Sequence, residues 1–82
     1  MGYHINPIKR GVFGEPSKIR EETEEFLDAI EQDCEIMALV ELSDLVGAIS
    51  GYLAKHHPSL DIRDLHGMSQ ITSRAFKSGA RT

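Results

Sequence analysis

KIREETEEFLDAIEQDCEIMALVELSDLVGAI, residues 18–49, is the stretch that decides the fold. It carries ten acidic side chains and, after Arg20, no basic one. In its first half Ile19, Phe26, Leu27 and Ile30 share one face of a helical wheel, while Glu21, Glu24, Asp28 and Glu31 lie opposite and are expected in solvent. Glu22 and Glu25 fall on the shoulder beside Ala29. Pro16 suits a first helical turn, so helix one is predicted over residues 16–32. The second half reads differently. Met37, Val40, Leu42, Leu45, Val46, Ile49, Tyr52 and Leu53 surround almost the whole circumference of a helix predicted over residues 33–55. Such a helix is expected to be buried. Glu41 and Asp44 interrupt it: with Met37 and Ala48 they follow i, i+4, i+7, i+11 spacing, one narrow stripe of the helix.

Outward from this segment the pattern is simpler. Residues 1–15, with Pro7 and three glycines, show no sustained periodicity and read as an extended arm anchored by Phe13. Pro58 ends helix two, and Ser59 is the expected N-cap of a third helix. That helix shows Leu65, Met68, Ile71, Thr72, Ala75 and Phe76 on one side and stops at Gly79. The predicted fold class is therefore all-α: an antiparallel bundle of about three helices in one domain over residues 1–82, an arm at 1–15 and helices over 16–79. A chain of 82 residues buries only about 60–65% of its unfolded surface. Helix two is also apolar on its far side, so the core is expected to be completed by homo-oligomerisation, as a homodimer or homotetramer.

Charge narrows the function. Residues 1–20 sum to +3, residues 21–44 to −10 and residues 45–82 to +3, giving the net −4. A nucleic-acid binder needs clustered Lys and Arg, so none is expected here. An acidic centre between basic ends suits cations and, through them, a polyanion. Cys34 has no partner for a disulfide or a zinc site and reads as a small core or near-core residue. A membrane span is not expected, because Glu41 and Asp44 would lie at mid-membrane. Without the apolar region of a secretory signal at residues 1–16, a cytoplasmic location is expected, the host cytoplasm if the chain is phage-encoded.

Glu22 and Glu25 are three apart on helix one, and Glu41 and Asp44 are three apart on helix two. The joint near residues 32 and 33 lies ten residues after Glu22 and eight before Glu41, so an antiparallel pair brings both couples level. Four converging carboxylates protonate or recruit a cation. With no Lys or Arg between residues 21 and 54, a divalent metal is the readiest counter-charge, and all-oxygen ligands favour Mg²⁺ or Mn²⁺.

Glu21-Glu22-Thr23-Glu24-Glu25, followed by Glu41-Leu42-Ser43-Asp44, resembles the EExxE…ExxD signature of the MazG-like, all-α nucleoside triphosphate pyrophosphohydrolases, in particular their small single-domain, phage-type members. Lys18, ahead of the double Glu, fits as well, and the similarity covers residues 18–49. The resemblance implies Mg²⁺-dependent cleavage of a (d)NTP between its α and β phosphates to (d)NMP and pyrophosphate. It also implies Glu22, Glu25, Glu41 and Asp44 as metal ligands, with Glu21 and Glu22 as the catalytic candidates. Lys18, Lys77 and Arg81 are the expected phosphate clamps.

Plainer roles stand beside these. Glu22 and Glu25 could simply complement a helix N-terminus, and Glu41 and Asp44 could pair with Arg63, Arg74 or Lys77. His56 and His57 read as helix-end caps, His4 and His66 carry no signal, and Tyr3, Phe13 and Tyr52 read as packing residues before base-stacking ones. The alternative to an enzyme is a non-catalytic helical interaction module that docks an acidic face on a partner protein.

Overall fold

The computed structural model describes residues 4–79, so Tyr3 and Arg81 lie outside the described residues. Three helices follow one another: α1 (Pro16–Glu31), α2 (Glu35–His56) and α3 (Ile62–Ser78), with no strand among the described residues. The chain is all-α. Pro16 stands at the first turn of α1, where its missing N–H is no loss. The helix closes through Gln32 N–H to Asp28 O and Cys34 N–H to Ala29 O, with Asp33 at a φ of 58°. Left-handed Asp33 turns the chain back on itself, a conformation that Asp tolerates better than most residues.

α1 and α2 then pack as an antiparallel hairpin. Lys55 and His56, in the last turn of α2, pair with Glu15 at the start of α1. Small residues line the seam: Ala29 of α1 and Ala38, Ala48 and Gly51 of α2 are buried. Phe13, 67% exposed, anchors the arm by laying its ring edge on Gly51, where a Cβ would come within 2.5 Å of Cζ. The arm approaches α1 just as closely at Gly11, whose position leaves no room for a side chain beside the Ser17 carbonyl.

Several expectations need correction. The N-cap of α3 is Asp61, not Ser59: its carboxylate accepts from Arg63 N–H and Asp64 N–H while Asp64 caps Asp61 N–H in return. Residues 57–60 are used in a turn closed by Leu60 N–H to His57 O. Gly79 ends α3 in the left-handed region as expected. α3 has no buried residue and meets α2 alone, so helices one and two form a hairpin to which helix three is only loosely attached.

Burial differs as well. Glu21 and Asp28, expected in solvent, are buried, because the arm crosses that side of α1. Leu27 and Ile30, expected inside, are exposed. α2 is not buried all round either: Ile36, Leu39, Val40, Leu42 and Val46 face outward. By length and composition α2 could also cross a membrane, with a mean hydropathy of 1.5 over its most apolar window.

Candidate metal centre

One helical turn separates Glu22 from Glu25 on α1, and one turn separates Glu41 from Asp44 on α2. The hairpin brings them together. Glu22, Glu41 and Asp44 each present a carboxylate oxygen within 4.8 Å of the others, and Glu21, Glu22 and Glu25 form a second such group. Glu22 belongs to both groups and so connects the acids of α1 to those of α2. Glu22 and Glu41 form the buried floor, at 5% and 1% exposure. Asp44, expected in the core beside Glu41, is exposed instead.

The electrostatics are those of acids lacking enough positive charge. Burial, then the neighbouring Glu22 and Glu21 carboxylates, pushes Glu25 up to about 7, with His4 pulling the other way. Burial, reinforced by Asp44, raises Glu41 above the usual carboxylate range. Glu22 Oε2 is buried with no hydrogen-bond donor. Orphaned oxygens of this kind are costly unless a cation or a donor meets them. Hard oxygen donors, closely spaced and mostly dehydrated, fit Mg²⁺ or Mn²⁺.

No family model, curated protein or solved structure matches this chain.

Glu21 and Lys18 are already engaged. Glu21 Oε1 accepts from Gly11 N–H at 2.8 Å and from Lys18 Nζ at 3.1 Å. Burial alone would raise the Glu21 pKa, but the Gly11 and Lys18 bonds outweigh it and hold the group below its ordinary value. Lys18 also reaches Glu22 Oε1 at 3.3 Å, and the bond to Glu21 raises its own pKa. Lys77 is exposed in the last turn of α3. Arg63 pairs with Asp61 at 2.8 Å, and Arg74 is exposed.

Asp28, which the helical wheel assigns to solvent, and His4, which carries no sequence signal, both lie at the cluster. Asp28 accepts from Ile5 N–H, Asn6 N–H, Asn6 Nδ2 and Gln32 Nε2, and its pKa is strongly depressed: these bonds and His4 overcome the effect of burial. His4 lies beside it, with Nδ1 2.9 Å from Asp28 Oδ2 and Nε2 3.4 and 3.5 Å from Glu25 and Glu41. A signal for Asp28 existed, since it follows Glu25 by three as Glu25 follows Glu22. Nothing in the local pattern around His4 marks it, because its place depends on the path of the arm.

Proposed function

We propose that the chain is a Mg²⁺-dependent nucleoside triphosphate pyrophosphohydrolase of the MazG-like kind, cleaving (d)NTP to (d)NMP and pyrophosphate in nucleotide-pool control. One observation carries this above all: Glu22, Glu41 and Asp44, from two helices, set their oxygens within 4.8 Å of one another around a buried floor. The EExxE…ExxD spacing supports the same conclusion.

Glu22, Glu25, Glu41 and Asp44 would hold the ion, Mg²⁺ or Mn²⁺. When bound it neutralises phosphate charge, polarises the phosphorus centre and lowers the pKa of coordinated water. The depressed pKa of Glu21 makes it a weak proton acceptor. Glu21 instead fixes the arm through Gly11 and holds Lys18 at the edge of the cluster. Lys9, Arg10 and Arg20 line a shallow depression with Pro16 and Ser17 beside the start of α1, a set of cations suited to the outer phosphates. Exposed Asp44 marks the side from which a substrate would enter.

The outward Ile36, Leu39, Val40, Leu42 and Val46 support a homodimer or homotetramer with α2 at the interface. Covering that face with a second copy suits a soluble, cytoplasmic protein. An acidic docking module is less well supported, because Glu22 and Glu41 are buried and could not reach a partner's basic surface.

The test is product analysis with each NTP and dNTP plus Mg²⁺. Pyrophosphate and the monophosphate are expected. Orthophosphate as sole product, or no turnover of any nucleotide, would overturn the assignment.

A further inference from the structure

The arm brings one nitrogen to a cluster otherwise built of oxygens. His4 is 11% exposed at its side chain, and its two ring nitrogens meet different surroundings. Nδ1 lies 2.9 Å from Asp28 Oδ2. An ionised carboxylate only accepts, so Nδ1 carries the proton of that bond. Asp28 is itself fixed by the Ile5 and Asn6 backbone amides and by Gln32 Nε2 at 2.8 Å. The ring is thereby locked in tautomer and in direction. Its other nitrogen, Nε2, faces Glu25 Oε2 at 3.4 Å and Glu41 Oε2 at 3.5 Å.

We infer that His4 is a ligand of the metal centre, supplied by the N-terminal arm and oriented by Asp28. A carboxylate that holds one imidazole nitrogen so that the other binds metal is a recurrent arrangement around ligating histidines. The spacing agrees with it. Neighbouring donors on an octahedral ion at about 2.1 Å stand roughly 3 Å apart, so Nε2 needs to close on each of the two carboxylate oxygens by only a few tenths of an ångström. Glu22 Oε2, buried without a donor on the floor of the same cluster, independently calls for a cation there. An imidazole donor among carboxylates shifts preference from Mg²⁺ towards Mn²⁺ and the later divalent ions. It also ties metal binding to the arm, because the chain that carries His4 is strapped to α1 through Asp28 and Glu21.

The inference rests on the metal-dependent function proposed above, and the test separates the two. Pulsed electron paramagnetic resonance on the full chain loaded with Mn²⁺ alone reports nitrogen bound to the ion. Wild type is expected to show nitrogen modulation, and His4→Gln to lose it while still binding Mn²⁺. Calorimetry should find Mn²⁺ affinity at least tenfold lower in His4→Gln and about 10- to 100-fold lower in Asp28→Asn, with Mg²⁺ affinity changed much less by His4→Gln. Bound Mn²⁺ without nitrogen modulation in wild type overturns the role of His4 and leaves the metal centre standing. Failure of the wild type to bind Mn²⁺ or Mg²⁺ overturns both.

Discussion

Replacing Glu41 with Gln removes one charge and almost no volume from the most buried acid of the cluster, which is 1% exposed. Its pKa is raised by burial and by Asp44, so folding is opposed wherever the carboxylate is ionised. The sign follows from linkage. A carboxyl group with a raised folded-state pKa lends its full stability below the unfolded value, near 4.3, and loses it as pH rises through the folded one. Gln does not titrate. In the absence of metal, Glu41→Gln should therefore be more stable than wild type at about pH 8, and the gain should vanish near pH 4. For a domain of this size each kcal/mol of that gain raises Tm by about 4–8 °C. Divalent metal should invert the order. At a free concentration about 100 times its Kd, Mg²⁺ adds about 2.7 kcal/mol to the wild type, whereas the variant lacks a ligand and gains little. Thermal unfolding followed by circular dichroism, with EDTA and with millimolar Mg²⁺, measures both halves. A variant that melts below wild type in EDTA at about pH 8 would refute the claim that Glu41 is a buried charge awaiting a cation.

The titration of Glu25 should be visible in wild type. With its pKa near 7 against an ordinary 4.5, up to about 3 kcal/mol of stability should be lost between those pH values in EDTA, and saturating Mg²⁺ should flatten the profile. Gly11→Ala would drive a Cβ into the Ser17 backbone oxygen, so the arm must lift; a loss of about 1–3 kcal/mol is expected, with faster deuterium exchange at the Gly11-to-Glu21 bond, and unchanged exchange would contradict the close packing of the arm. Leu39 is 65% exposed in the single chain, so light scattering should report a dimer or tetramer for wild type and a monomer for Leu39→Glu, with helicity intact in both. An unchanged mass would place the interface elsewhere.

Much of this was legible in the sequence, for identifiable reasons. The 3.6-residue period placed all three helices to within a few residues, and i, i+3 spacing put Glu22 with Glu25 and Glu41 with Asp44 on common faces. Counting from the joint gave their convergence, because helical rise is constant. What depended on a neighbour was not legible. Asp28 and Glu21 sit on the hydrophilic side of the α1 wheel, which assigns them to solvent; an arm without periodicity lies over that side and buries both. His4 belongs to the same arm and was invisible for the same reason. α2 reads as apolar all round, and among the described residues none covers the side that bears Ile36 and Leu39. Ser59 gave way to Asp61 as a cap because the turn after Pro58 uses two more residues than the pattern shows.

The most direct measurement is the anomalous difference density of a crystal soaked in Mn²⁺. A peak is expected at about 2.2 Å from oxygens of Glu22, Glu25, Glu41 and Asp44, drawn from both helices of the hairpin. Density at some other acidic cluster, or these four carboxylates ordered and turned into solvent with no ion between them, would contradict the central claim.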